Sequence, residues 1–183
     1  GKSARIVERA DRPAEKAAKA DASKANKDAR KADRVHDVEP RPGRISPLAV
    51  VMVGGDPGRI EAIRDCRAGV EDEGSQLVAL VAAHAPVEGR DERWLDLCAG
   101  PGGKAALLAA RAAQTGAQLL ANEVSPHRAD LVRSALRAIA PDVARVRCGD
   151  GRDLGRDEPG AYDRVLVDAP CTGLGSLHRR PEA

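Results

Sequence analysis

The fold is decided by residues 93–105, which read RWLDLCAGPGGKA. The apolar stretch from Arg93 to Leu97 predicts a buried strand, and the glycines after it predict a sharp turn into an Ala-rich helix from Gly103 to about Gln114. Glycines let a backbone approach a ligand closely, and a helix N-terminus favours anionic groups. A Walker loop is excluded, because that motif needs a glycine where Cys98 stands and a hydroxyl where Ala105 stands.

Strand and helix signals alternate on the C-terminal side of this loop. Strands are predicted at Gln118 to Ala121, Val143 to Arg147 and Arg164 to Val167, and Ser125-Pro126 opens a helix that runs to about Ala138. This alternation predicts an α/β fold in which helices cover a parallel sheet of about four strands.

Weaker signals precede the loop. Pro47 to Val53 predicts a short strand, and Asp56-Pro57 predicts the start of a short helix that extends through Ile63. A further helix is predicted from Gln76 to Ala85, after the acidic loop from Glu71 to Gly74.

Composition excludes several classes of protein. Of the 183 residues, 42% are hydrophobic and 32% charged, which is typical of a globular chain. With one Trp, one Tyr and no Phe, the chain cannot build an aromatic platform for single-stranded nucleic acid. No apolar run approaches the roughly 18 residues of a membrane span. The four cysteines and four histidines lack zinc-ligand spacing, so we expect no metal site, reduced thiols and a cytoplasmic location.

Charge divides the chain near residue 45. Residues 1–44 hold 13 basic and 8 acidic residues (net +5), whereas residues 45–183 hold 17 and 20 (net −3). We therefore expect a charged, flexible or partly helical arm over 1–44. Residues 45–91 would lead into a cofactor-binding core over 92–183.

Acidic residues follow three of the predicted strands. Glu123, Asp150 and Asp168 each come at or just after a strand end, and Cys171 follows the last of them. Because the carboxyl ends of parallel strands surround the ligand crevice, we expect these groups to share one pocket. The loop fits Gly-x-Gly-x-x-Ala, so a nucleoside-bearing cofactor is expected.

Two different functions fit these residues alone. The glycine fingerprint together with Glu123 fits an NAD-dependent oxidoreductase. The basic arm with His178, Arg179 and Arg180 fits a non-enzymatic RNA-binding module, whose binding would weaken steeply with salt.

Three sequence blocks resemble one family. Asp96 to Lys104 (DLCAGPGGK) and Asp168 to Glu182 (DAPCTGLGSLHRRPE) are similar to the Sun-type (Fmu) RNA cytosine-C5 methyltransferases, above all to bacterial members that modify small-subunit ribosomal RNA. Val70 to Val78 (VEDEGSQLV) resembles a third block, which usually carries Gln where Glu71 stands. The resemblance covers roughly residues 40–183. It implies a Rossmann-like methyltransferase sheet with strands in the order three, two, one, four, S-adenosylmethionine as cofactor, and ribosomal RNA as partner and substrate.

The resemblance also assigns site residues. Glu123 would hold the cofactor ribose, Asp150 would lie beside the adenine, and Asp168 would face both cofactor and target base. The cofactor loop would comprise Cys98, Ala99, Gly100, Pro101, Gly102, Gly103 and Lys104.

The chemistry of cytosine methylation requires a cysteine, because C5 becomes nucleophilic only after a thiolate adds at C6. In the family, the cysteine that matches Cys171 is associated with product release, and the attacking cysteine lies in a later Thr-Cys-Ser-type block. In the DNA cytosine methyltransferases the Pro-Cys cysteine itself attacks. The chain stops at Ala183, before that later block, so we expect an inactive or weakly active fragment. Its last predicted strand would be an exposed apolar edge. Cys66 is expected to be structural, and Cys148 to be buried in a strand.

Overall fold

The computed structural model describes residues 40–52 and 54–170 of the chain. The chain divides into two compact units, one of Gly1–Arg41 with Met52–Asp56 and the other of Pro42–Val51 with Pro57–Ala183. Few residues of the first unit are among those described.

The described residues before residue 90 form two short strands, a 3-10 helix and two α-helices. Two short strands, β1 (Arg41–Pro42) and β2 (Val50–Val51), form a two-stranded sheet. A 3-10 helix (Pro57–Arg59) leads into α1 (Glu61–Arg64), and α2 follows (Glu73–His84).

Three predictions for this part need correction. The strand predicted from Pro47 is only β2, because Val50 and Val51 are exposed and find no core; Val53 lies outside the described residues. The helix predicted after Asp56-Pro57 divides into the 3-10 helix and α1. Helix α2 begins at Glu73, earlier than predicted, because the Asp72 carboxylate accepts the Ser75 N–H at 3.0 Å and caps it.

The central sheet has four parallel strands: β3 (Arg93–Asp96), β4 (Gln118–Glu123), β5 (Ala144–Cys148) and β6 (Arg164–Leu166). Their order is β5-β4-β3-β6, which confirms the predicted topology. In the part of the chain that is described, β6 is an edge strand, and Val165 is half exposed.

Three helices connect these strands: α3 (Gly103–Thr115), α4 (Pro126–Ala135) and α5 (Gly151–Asp157). Helix α4 ends before the predicted Ala138, with Leu136 as its C-cap. The sequence did not predict α5, whose only buried residue is Leu154 and whose pattern is therefore too weak to recognise.

Small side chains dominate the core. Helix α3 buries Ala105, Ala109 and Ala112 together with Leu108, and these pack with Ala79 of α2. Alanine at the contact lets two helix backbones approach closely. None of the helices within 40–52 and 54–170 is long and apolar enough to cross a membrane.

One arginine fastens α2 to the sheet. The Arg164 guanidinium donates two hydrogen bonds to the Asp91 carboxylate, at 2.7 and 2.6 Å, and two more to the carbonyl oxygens of Ala82 and Ala85. It also lies 5.1 Å from the ring centroid of Trp94. The Arg164 side chain is only 12% exposed, whereas the Asp91 side chain is 34% exposed, so the guanidinium is shielded from water more than its carboxylate partner.

We expect Arg164→Met to lower the free energy of unfolding by about 2–4 kcal/mol, since it leaves two carbonyl groups without their donor and Asp91 with only the Trp94 indole N–H. The control is Arg93→Met, which removes an exposed ion pair with Glu158 and should cost less than about 1 kcal/mol. Urea unfolding measures both, and equal losses would contradict the assignment.

Candidate active site

A cavity of about 310 Å³ opens at the carboxyl edge of the sheet. It lies where β3, β4 and β5 end, as expected for a ligand crevice in a parallel sheet. Its lining residues are Leu97, Cys98, Asn122, Glu123, Val124, Asp150, Gly151, Arg152 and Pro170. The cavity thus brings together Glu123 and Asp150, two of the three acidic strand-end residues that the sequence predicts to share a pocket, whereas Asp168 is not among its lining residues.

The loop after β3 is fixed to its neighbours by backbone hydrogen bonds. The Leu97 N–H donates to the Leu166 carbonyl at 2.9 Å, and the Ala99 N–H donates to the Asn122 carbonyl at 2.8 Å. The Gly100 N–H donates to Glu123 Oε2 at 3.0 Å. The loop therefore reaches α3 in a defined conformation.

Gly102 allows α3 to begin close to α4. As the N-cap of α3 it has φ +118°, and a Cβ there would lie 2.7 Å from the Ala135 Cβ. A side chain at this position would therefore be strained and would also overlap α4.

Asp96 is the deepest acidic group, with 1% of the residue exposed. Neither carboxylate oxygen forms a hydrogen bond within the described residues. Burial raises its pKa to about 6, an effect that the Cys98 N–H and the Lys104 ammonium oppose and that Asp168 and Glu123 reinforce. Asp96 directly precedes Leu97, a lining residue of the cavity, so a buried carboxylate without a hydrogen bond lies beside the cavity wall.

Glu123 organises the loop as well as lining the cavity. Its Oε1 accepts the Ser125 N–H at 2.9 Å, and its Oε2 accepts the Gly100 N–H. The Arg128 Nε lies 3.7 Å away, and the same guanidinium donates to the Gly100 carbonyl. Because a carboxylate has about four acceptor positions, these contacts leave capacity for a ribose hydroxyl, the role that the sequence predicts.

Lys104 links the loop to the block after β6. Its Nζ lies 2.9 Å from Asp168 Oδ2. Burial alone would lower the pKa of Lys104, but the hydrogen bond and charge of Asp168, with the charges of Glu71 and Asp72, raise it overall. Glu71 is half-buried beside Gly103, and burial raises its pKa. Cys171 lies outside the described residues.

Asp150 caps α5 at the rim of the cavity. Its Oδ1 accepts the Arg152 N–H at 2.9 Å, and both of its oxygens pair with the Arg152 guanidinium. The side-chain hydrogen bond from Arg152 is the main cause that lowers the pKa of Asp150 to about 2. Asp150 is therefore ionised and already paired where the sequence predicts an adenine contact.

The Cys98 thiol, which lines the cavity, is not an activated nucleophile. Burial, with the charges of Asp96 and Glu123, raises the pKa of the Cys98 thiol. Cys148 is exposed, so the expectation of a buried strand cysteine is wrong; β5 is the edge strand on this side of the sheet. Cys66 adopts φ +56° in the turn after α1, in agreement with its expected place at a helix end. Among these residues no group of His, Cys, Asp and Glu is placed to hold a metal.

The sequence analysis missed Asn122 and Arg147. Asn122 Nδ2 donates to the carbonyl oxygens of Leu97 and Gly149 at 3.0 and 3.1 Å, and its Oδ1 accepts from Arg147 Nη1 at 2.6 Å. The sequence did offer a signal for Asn122, which follows the apolar residues 119–121 of a predicted strand. A polar side chain that is buried there requires hydrogen-bond partners.

A sequence profile of the 16S rRNA methyltransferase RsmB/F family matches residues 82–183, which include the whole cavity. The chain belongs to this family. The match includes two of the three sequence blocks, residues 96–104 and 168–182, and confirms the family resemblance; it does not favour the NAD-dependent oxidoreductase. The family's methyl donor is S-adenosylmethionine, in agreement with the nucleoside-bearing cofactor expected at the cavity.

Several curated proteins are similar to the chain. A methyltransferase of Mycobacterium tuberculosis, whose name states no substrate, is 59% identical over 141 residues, or 77% of the chain and 30% of that protein. The mitochondrial tRNA (cytosine(34)-C(5))-methyltransferase of Danio rerio is 47% identical, over 50% of the chain and 25% of the enzyme. The ribosomal RNA small subunit methyltransferase B of Xanthomonas campestris is 40% identical, over 62% and 25%. The chain thus spans between 25% and 30% of the length of these relatives.

Solved structures share the fold. A methyltransferase homolog from Pyrococcus horikoshii superposes with a TM-score of 0.63 at 19% identity, covering 84% of this chain and 49% of that one. NSun6 from the same organism, determined with SFG, gives 0.56 at 24% identity, covering 69% and 33%. Both support the Rossmann-like methyltransferase sheet.

We expect Gly102→Ala to lower the free energy of unfolding by about 2–4 kcal/mol, from the left-handed backbone and the overlap with Ala135 together. Gly116→Ala is the matched control, because Gly116 also has positive φ (+80°) but nothing near its Cβ position. It should cost only about 1–2 kcal/mol. Equal losses in urea unfolding would show that the approach of α4 does not constrain Gly102.

Asp96→Asn should change how stability depends on pH. A carboxyl group with a raised folded pKa stabilises the fold fully only below its unfolded pKa, and this contribution is lost as pH rises through the folded value of about 6. Relative to the Asp96→Asn variant, wild type should lose about 2–3 kcal/mol between pH 4 and pH 7. Thermal unfolding of both proteins at several pH values measures this difference in stability. The contributions of the other acidic residues cancel, because both proteins contain them. A difference in stability that does not vary with pH would contradict the raised pKa of Asp96.

Proposed function

We propose that the protein containing this chain transfers a methyl group from S-adenosylmethionine to C5 of a cytosine in RNA, with small-subunit ribosomal RNA as substrate. The observation that carries the proposal is the cavity at the carboxyl edge, which is lined by Cys98, Glu123 and Asp150 and lies next to the buried Asp96. The family motifs, which imply cofactor-binding roles for Cys98, Glu123 and Asp150, support the proposal.

Different residues of the chain would bind different parts of this cofactor. Glu123 would accept hydrogen bonds from the ribose hydroxyls, and Asp150 would lie at the adenine end. Asp96, which has no donor of its own in the described residues, would accept a hydrogen bond from the amino-acid part. When bound, S-adenosylmethionine supplies an electrophilic methyl group on a positively charged sulfur.

The methyl acceptor is activated by a cysteine. A thiolate adds to C6 of cytosine, C5 takes the methyl group, a base removes the C5 proton, and the thiolate leaves as the C5–C6 double bond re-forms. We propose that Cys171 helps to release the product, as in the family motif. Asp168, held by Lys104 at 2.9 Å, would face the target base. The base must leave any stack to reach this edge, at a cost of about a few kcal/mol.

Cofactor binding tests the first half of the proposal. Isothermal titration should show saturable binding of S-adenosylmethionine and none of NAD, with little dependence on salt. Glu123→Gln should weaken binding by about tenfold to a hundredfold, since it removes a charged acceptor from both loop and ribose. Glu158→Gln is the control, because the Glu158 carboxylate accepts a hydrogen bond from the Tyr162 hydroxyl away from the cavity. Binding of NAD, or equal effects of the two substitutions, would contradict the proposal.

Position-specific methyl transfer tests the second half. With RNA tritiated at C5 of cytosine, transfer to C5 must release tritium in proportion to methyl incorporated, because the C5 proton is the one displaced. Small-subunit ribosomal RNA is the substrate and transfer RNA the comparison, in view of the Danio rerio relative. The assay uses the longer protein that contains this chain. Methyl incorporation without tritium release would exclude C5, and preference for transfer RNA would exclude the ribosomal substrate.

A further inference from the structure

The floor of the cavity contains a carboxamide that joins three strands. Asn122 lies in β4, directly before Glu123, and is 1% exposed. Its Nδ2 donates to Leu97, the first residue after β3, and to Gly149, the first after β5. It thereby connects the loops on the two sides of β4.

The amide has only one orientation that satisfies all of its neighbours. Two carbonyl oxygens face one side, and the Arg147 guanidinium faces the other. Reversing Asn122 would place its Oδ1 against both carbonyl oxygens and its NH₂ against a cation. Arg147 therefore fixes the direction in which the amide donates.

Arg147 extends this network to α5. The same Nη1 that contacts Asn122 donates to the Asp150 carbonyl at 3.1 Å, and Nη2 lies 3.7 Å from Asp153 Oδ2. Two connected side chains thus fasten the loop after β3, the loop after β5 and the first turn of α5.

The packing around the amide has little free space. A Cβ built on Gly151 would lie 2.9 Å from the Leu97 side chain and 3.4 Å from Asn122 Nδ2. The two loops therefore meet directly beside Asn122, and a change in its hydrogen bonds moves the walls of the cavity rather than a distant surface.

We infer that Asn122, oriented by Arg147, is a positioning residue of the cofactor cavity. It sets the separation between the two walls of the cavity, of which the first is the loop after β3 and the second is formed by the ends of β4 and β5. The inference rests on the proposed function for its ligand. S-adenosylhomocysteine would span both walls, with its amino-acid part at the loop after β3 and its adenosine part at β4 and β5. Adenosine alone would use only the second wall. Loss of the correct separation weakens a spanning ligand more than its fragment.

The test compares these two ligands by isothermal titration. Asn122→Asp keeps the size of the side chain and its pairing with Arg147, but it removes both donors. Arg147→Met keeps the donors and removes the group that orients them. Each variant should weaken S-adenosylhomocysteine by about tenfold to thirtyfold and adenosine by less than about threefold. Gln118→Ala truncates an exposed amide at the other end of β4 and should change neither.

Hydrogen exchange of the ligand-free chain gives a second readout. Both variants should accelerate exchange at the amides of Ala99, Gly100 and Gly149, whereas the middle of α3 should be unchanged. Equal weakening of both ligands, or uniform acceleration of exchange, would overturn the inference and leave Asn122 a general stabiliser. If wild type bound neither ligand, the proposed function would fail, and the exchange pattern alone would decide whether Asn122 positions the two loops.

Discussion

The hydrogen bond from the Gly100 N–H to the Glu123 carboxylate ties the glycine loop after β3 to the end of β4. The same carboxylate accepts the Ser125 N–H, so it also fixes the start of α4. Arg128 on α4 then returns to the Gly100 carbonyl. Position 100 must be small, because a Cβ there would lie 2.4 Å from Glu123 Oε2. One buried acid thus sets the relative positions of a loop and the helix that packs beside it.

The acidic groups of the cavity differ in how they are neutralised. Arg128 lies beside Glu123, Arg152 pairs with Asp150, and Lys104 pairs with Asp168. Within the described residues, the Asp96 carboxylate has neither a hydrogen bond nor an ion pair, and burial raises its pKa to about 6. Burying this group beside the cavity costs stability in the free protein.

The parts of the fold that could be predicted from sequence are those with strong local signals. The apolar run before Asp96 and the glycines after it define β3 and the start of α3, because few other structures accommodate such a sequence. Helix α5 could not be predicted, since it has one buried residue, and β2 is shorter than predicted because its valines are exposed and find no core. The residues at the strand ends were predictable from topology. Asn122 was not, because its role comes from carbonyl groups that only the folded sheet brings to it.

The contacts that Arg164 makes with Asp91 and Trp94 have a spectroscopic consequence. Trp94 is the sole tryptophan of the chain; it is buried, it donates its indole N–H to Asp91 at 2.7 Å, and a guanidinium lies over its ring. It lies in the first half of β3, whereas the cavity opens beyond the last residue of that strand. Tryptophan emission therefore reports the junction between α2 and the sheet and is poorly placed to register occupancy of the cavity. The chain carries a built-in optical probe of folding whose signal is separate from that of ligand binding.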